Sequence, residues 1–141
     1  MPSTTEFIEK AFKIAMNSPD PFKKVGVLGV TKSGKQVAWG YNDIMGLRKG
    51  DDFWADRDGR RKFMVHAEIN MIAMAESTES EIHNIHTVYI TLFPCVHCMT
   101  ALAALGVKRI IYAEMYDKDQ PAIEVALFYG IDIKEYGTKE I

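Results

Sequence analysis

Hydrophobic positions in this chain switch repeatedly between helical spacing and strand-like alternation, and the switches outline a fold. Phe7, Ile8, Ala11, Phe12 and Ala15 form a helical stripe behind Ser3-Thr4-Thr5-Glu6, a capping-box sequence, and the stripe ends near Asn17-Ser18-Pro19. Val25 to Thr31 and Gln36 to Tyr41 are β-rich runs joined through Ser33-Gly34, which predicts a hairpin. Residues 66–76 read as a helix apolar almost all round, which predicts burial on several sides. Thr87 to Thr91 is the next predicted strand, and Val96 to Leu105 is a helix stopped by Gly106. Arg109 to Ala113 reads as a strand, Pro121 to Tyr129 as a helix starting at proline, and Ile131 to Glu135 as a last strand. Strand–helix–strand repeats with short links favour right-handed crossovers and parallel pairing of the later strands. The predicted fold class is α/β, a three-layer α/β/α sandwich around one mixed five-stranded sheet. Residues 43–64 remain the one long irregular stretch.

Composition narrows the class. A length of 141 residues predicts one domain over 1–141, and 48% apolar with 26% charged residues is ordinary for a soluble globular chain. No apolar run approaches the roughly 20 residues of a membrane span. The opening Met1-Pro2-Ser3-Thr4-Thr5-Glu6 does not read as a signal peptide, so no membrane partner and a cytoplasmic location are expected. A net charge of −2 supplies no basic field for a nucleic-acid polymer and favours a small substrate. Arg48, Lys49, Arg57, Arg60, Arg61 and Lys62 are mixed with Asp51, Asp52, Asp56 and Asp58, which predicts a solvated or subunit-facing lid over 47–62.

Both cysteines fall in one phrase, Pro94-Cys95-Val96-His97-Cys98, which begins 26 positions after the glutamate of His66-Ala67-Glu68. In a cytosolic chain such a pair is metallated or catalytic more often than a disulfide. His66, Cys95 and Cys98 are a ligand set for one Zn²⁺ with a fourth position open, as catalytic zinc requires. All three fall at predicted helix N-termini, where the helix dipole favours thiolates. Glu68 stands about 200° round the helix axis from His66, which suits a proton carrier better than a fourth ligand. A purely structural zinc would need another Cys or His; the candidates are His83, His86 and His97, and His97 would point off the shared face. A redox C-x-x-C is the other reading of the cysteines.

An H-x-E with a downstream P-C-x-x-C resembles the zinc nucleobase deaminases. Nearly the whole chain, from about Phe7 to Tyr136, is similar to the deoxycytidylate (dCMP) deaminases of the cytidine deaminase-like superfamily. The matching phrases are Asp20-Pro21-Phe22-Lys23-Lys24-Val25-Gly26-Val27, Gly40-Tyr41-Asn42, Val65-His66-Ala67-Glu68-Ile69-Asn70, Thr91-Leu92-Phe93-Pro94-Cys95-Val96-His97-Cys98 and Tyr116-Asp117-Lys118. That resemblance implies hydrolysis of dCMP to dUMP and ammonia, with dUMP feeding thymidylate synthesis. Glu68 would take a proton from the attacking water and pass it to N3 while hydroxide attacks C4. The Ala67 amide would meet the pyrimidine carbonyl, Asn42 a sugar hydroxyl, Lys24 the 5′-phosphate, and Asn70 and Tyr116 further sugar or phosphate contacts. Lys24, Asn42 and Tyr116 also have plainer readings, as a solvated charge, a turn former and a packing ring.

The same resemblance implies a homo-oligomer, a hexamer in the family, with dCTP as activator and dTTP as inhibitor. Asp43 departs from the glycine of the family's G-Y-N-G phrase and opposes that regulation; an Mg²⁺ ion bridging Asp43 to phosphate would restore it. Rival functions are other zinc deaminases, of cytidine or deoxycytidine, dCTP or tRNA adenosine, and a non-catalytic zinc-stabilised binding module.

Overall fold

The computed structural model describes residues 3–77, 81–115 and 120–137, and five strands form one sheet in the order β2-β1-β3-β4-β5. β1 (Gly26–Thr31) and β2 (Gln36–Tyr41) make the predicted antiparallel hairpin, with Leu28 opposite Trp39. β3 (Ile85–Leu92) adds antiparallel to β1, while β4 (Arg109–Glu114) and β5 (Asp132–Glu135) continue in parallel. The mixed five-stranded α/β sandwich is therefore the observed fold.

Strand alternation sorts the core into two layers. Val27, Val88, Ile90 and Ile110 face one side, where they meet Met71 of α3 (Ala67–Ser77), Met99 and Leu102 of α4 (Val96–Leu105), and Ala122 and Ala126 of α5 (Gln120–Phe128). Leu28, Val30, Tyr89 and Ile111 face the other side and are covered by Phe7 and Ile8 of α1 (Thr4–Ala15). Ser3 caps α1 by accepting from the Glu6 N–H at 3.2 Å, as its sequence predicts. Phe12, placed on the same stripe by spacing, is 43% exposed. Gly106 ends α4 at φ 90°, a left-handed turn that glycine takes without steric penalty.

Two expectations need correction. The 43–64 stretch is not irregular throughout: a 3₁₀ turn spans Asp52–Ala55 and a helix, α2, spans Arg57–Phe63. Asp56 starts α2 by accepting from the Gly59 N–H at 3.1 Å, and Arg60, Arg61 and Lys62 suit its negative C-terminal end. Trp54 anchors the segment, buried to 2% exposure and donating its indole N–H to Arg48 O at 2.8 Å. The helix at 66–76 is not buried on every side within one chain, since Ile69 and Met74 are 41% and 40% exposed.

The topology gathers the site. Two successive antiparallel pairings leave β2 and β3 running the same way, so their C-terminal ends share one end of the sheet. The helices α3 and α4 begin just beyond that end, and the entry to β1 lies there too.

Candidate active site

His66 and Cys95 are the residues immediately before α3 and α4, and Cys98 sits in the first turn of α4. Backbone bonds set both starts: Asn70 N–H donates to His66 O at 2.9 Å and Met99 N–H to Cys95 O at 2.9 Å. His66 Nδ1 lies 3.6 Å from Cys95 Sγ and 3.4 Å from Cys98 Sγ, with all three ligand atoms within 4.8 Å of one another. A tetrahedral zinc at about 2.3 Å from sulfur and about 2.0 Å from nitrogen separates those atoms by about 3.5 Å. The donor set and its spacing fit zinc. Among the described residues no further His, Cys, Asp or Glu joins this group. His83 and His97 are exposed, and His86 Nδ1 pairs with Thr87 Oγ1 at 2.9 Å.

The electrostatics follow from this packing. Hydrogen bonds from Cys98 and His66 pull the Cys95 thiol down to about 3, so its thiolate forms readily. The same contact with Cys95, with burial, pushes the Cys98 thiol up, and the hydrogen bond to Cys95 raises His66. Protons shared among these three groups are the ones a bound metal releases. Glu68 is 3% exposed, and burial lifts its carboxyl to about 7.

His66, Glu68 and Cys95 form one wall of a cavity of about 200 Å³ that Val25, Asn42, Met64, Ala67, Leu92 and Phe93 also line. Its volume is below the roughly 300–1,000 Å³ of clefts that enclose a drug-sized ligand, which gives room for a small ring and the atoms attached to it. Val25, Met64, Leu92 and Phe93 were not singled out in the sequence, because an apolar wall has no chemical signature. Phe93 is held edge-on against Tyr112 at 4.9 Å between ring centroids.

The expected ligand contacts divide. Ala67, 1% exposed, and Asn42, 7% exposed, line the cavity. Asn70 turns its amide away, donating to Tyr41 O at 2.9 Å and so tying α3 to the end of β2. Lys24 is not among the lining residues; its ammonium is drawn onto the carbonyls of Ser18 at 2.5 Å and Asp20 at 2.8 Å. Two of its three donors are thus committed to backbone. Tyr116 lies outside the described residues. Phe22, beside this turn, carries the Arg60 guanidinium 4.1 Å above its ring, linking α2 to the turn.

Comparison with known proteins agrees with the geometry. The family model "Cytidine and deoxycytidylate deaminase zinc-binding region" matches residues 1–114. The chain is 31% identical to a human deoxycytidylate deaminase over 146 residues, covering 94% of this chain and 79% of that protein. It is 38% identical over 85 residues to the deoxycytidylate deaminase of Enterobacteria phage T2, covering 60% of this chain and spanning only 44% of that relative. In fold it is similar to the dCMP deaminase of cyanophage S-TIM5 solved with dCMP and dUMP, with a TM-score of 0.74, 23% identity, and 96% and 98% of the two chains covered. A model match over most of the chain, on a fold whose helix starts converge three zinc ligands, makes this chain a member of the cytidine and deoxycytidylate deaminase family.

Proposed function

We propose that residues 1–141 act as a single zinc-dependent deaminase domain in the cytoplasm, converting dCMP and water to dUMP and ammonia for thymidylate synthesis. The carrying observation is a buried carboxylate, Glu68, beside the His66, Cys95 and Cys98 group in one ring-sized cavity. A structural zinc site has no use for such a carboxylate. Zinc held by those three residues supplies Lewis acidity, bringing the ionisation of water close to neutral pH.

Glu68 then works as the proton carrier. It accepts a proton from the attacking water, whose oxygen bonds to C4 of the cytosine ring. It delivers that proton to N3 and carries the next one to the departing amino group, so the C4–N bond breaks and ammonia leaves. A buried carboxyl beside the ligand group is placed to take a proton from the water and to give it to the ring. The Ala67 N–H faces the pyrimidine carbonyl, and Asn42 meets the sugar. Val25, Leu92 and Phe93 exclude water from the ring. Asn70 and Lys24 support these contacts from behind, through Tyr41 and the 18–20 turn.

Ammonia release from dCMP, deoxycytidine, cytidine and dCTP, measured on zinc-loaded protein, tests the reading. dCMP is expected to be turned over fastest. A zinc-loaded chain that releases ammonia from none of the four would overturn it, and a preference for another substrate would reassign the specificity.

Regulation by dCTP as activator and dTTP as inhibitor, with Mg²⁺, belongs to the same proposal. Its support is the likeness of the rest of the chain to the deoxycytidylate deaminases; Asp43, whose Oδ1 is buried without a hydrogen-bond partner, opposes it unless Mg²⁺ bridges the carboxylate to phosphate. Assembly into a homo-oligomer is supported by Trp39, 51% exposed, and Met74, which border one shallow apolar hollow across β2 and α3. Rate curves with each effector and light-scattering mass test the two.

A further inference from the structure

Asp20 is a carboxylate only 4% exposed, in the turn between α1 and β1, and the chemistry above makes no use of it. Its Oδ1 accepts from the backbone N–H groups of Phe22 at 2.8 Å and Lys23 at 3.3 Å, which fixes the turn. Its Oδ2 accepts from Asn42 Nδ2 at 3.4 Å. The same turn grips Asn42 twice more, because Nδ2 donates to Lys23 O at 2.9 Å and Val25 N–H donates to Oδ1 at 2.8 Å. Ser18 closes the network by donating its hydroxyl to Asn42 O at 2.7 Å and accepting from Asp20 N–H at 3.2 Å.

Only one orientation of the Asn42 amide satisfies these partners. Reversed, its NH₂ would face the Val25 N–H and its oxygen would face two acceptors. In the satisfied orientation both amide hydrogens are committed, while Oδ1 keeps a lone pair. Asn42 lines the cavity, so what it offers a ligand is an acceptor. A hydroxyl is the group an acceptor selects. On a 2′-deoxynucleotide the 2′ oxygen is missing and the 5′ oxygen carries phosphate, which leaves the 3′-hydroxyl.

We infer that Asp20 is a positioning residue for substrate recognition: it fixes the turn that grips Asn42 and so holds Asn42 Oδ1 as the acceptor for the nucleotide 3′-hydroxyl. The inference rests on the dCMP reading above.

Asp20→Asn keeps the size of the side chain but sets an N–H against either the two backbone donors or Asn42 Nδ2. Steady-state kinetics on dCMP and on 2′,3′-dideoxycytidylate, which lacks the 3′-hydroxyl, read the consequence. For dCMP, KM is expected to rise about five- to tenfold, the worth of one neutral hydrogen bond, with kcat within about twofold of wild type. For the dideoxy substrate, kcat/KM of the variant should equal that of wild type. Equal losses on both substrates would mean that Asp20 serves the fold alone, and no loss on dCMP would mean that it does not position Asn42. If Asp20→Asn fails to fold, Ser18→Ala removes the network's hold on Asn42 from the other side and is expected to give the same substrate-selective pattern at smaller size; equal losses there overturn the inference as well. A wild-type chain inert on dCMP would sink the proposed function and this inference together, whereas an active wild type with unselective losses sinks only the inference.

Discussion

Gly40 lies directly against Ala67: a Cβ at Gly40 would stand 2.5 Å from the Ala67 carbonyl oxygen and 2.5 Å from the Met71 backbone nitrogen. Both neighbours are backbone, so no side chain can swing away. Gly40→Ala must therefore push α3 off β2, at about 1–3 kcal/mol of overpacking. The displaced helix start carries His66 and Glu68, and a shift approaching 1 Å costs on the order of 10²-fold in rate. Melting temperature and kcat should fall together in this variant. An unchanged melting temperature would show that the contact is not tight.

Zinc content follows the ligand trio. Cys95→Ser replaces a soft thiolate by a hydroxyl at the thiol whose ionisation is the easier of the two. Metal analysis is expected to find one zinc per chain in the wild type and almost none in the variant, with a lowered melting temperature, because metal binding contributes folding free energy. Chelation of the wild type should lower its melting temperature in the same direction. Full zinc occupancy in Cys95→Ser would contradict the assignment.

Glu68→Gln keeps the buried shape and removes the transferable proton. Zinc and fold should be retained, and turnover should drop by at least about 10²–10⁴-fold. Removing a buried carboxyl also leaves no ionisation cost to stability. The check is single-turnover ammonia release beside metal analysis; activity within a few-fold of wild type would show that another group moves the proton.

Asp43 gives the stability a pH dependence. Burial raises its carboxyl above the ordinary 3.8, although the Ile44 backbone N–H opposes the shift. A folded-state value above the unfolded one means stability that is present below 3.8 and is lost as pH rises through the folded value. Asp43→Asn should therefore be more stable than wild type at pH 7, and the gap should close on acidification toward pH 3.8. Denaturation curves across that range measure it. A gap that widens at low pH would reverse the assignment.

Lys24→Ala separates two roles for one cation. With its ammonium on the Ser18 and Asp20 carbonyls, its loss should loosen the turn and lower kcat/KM on dCMP and deoxycytidine in step. About three- to tenfold is expected, the worth of one or two hydrogen bonds. A loss confined to dCMP would return Lys24 to the phosphate.

The legible and illegible parts of this fold differ in physical origin. The hairpin at Ser33-Gly34 and the stop at Gly106 are local decisions, made by residues that fit the turn, and they read directly from sequence. His66, Cys95 and Cys98 were legible because soft metal ligands at those spacings have few other uses. Helix α2 was not, since it has no apolar stripe and depends on the Asp56 cap and the anchored Trp54. The destination of Lys24 was also hidden: a long side chain reports its charge, and only the folded turn decides which acceptor takes it. Met64 and Leu92 line the cavity by where their elements end, a property of topology that no residue type encodes.

The central place of β3 bears on the order in which this molecule assembles. It sits between β1 and β4, while the rest of the hairpin, α2 and α3 intervene in the chain between β1 and β3. His66 precedes β3 and the two cysteines follow it, so the three ligands meet only after that distant pairing has formed. Such non-local pairing is the slow part of folding. Zinc held by the three is therefore expected to act as a latch on a sheet already paired, which unfolding rates with and without a chelator would measure. If the site forms after the transition state, zinc should slow unfolding and leave the rate of folding to the packing of β3.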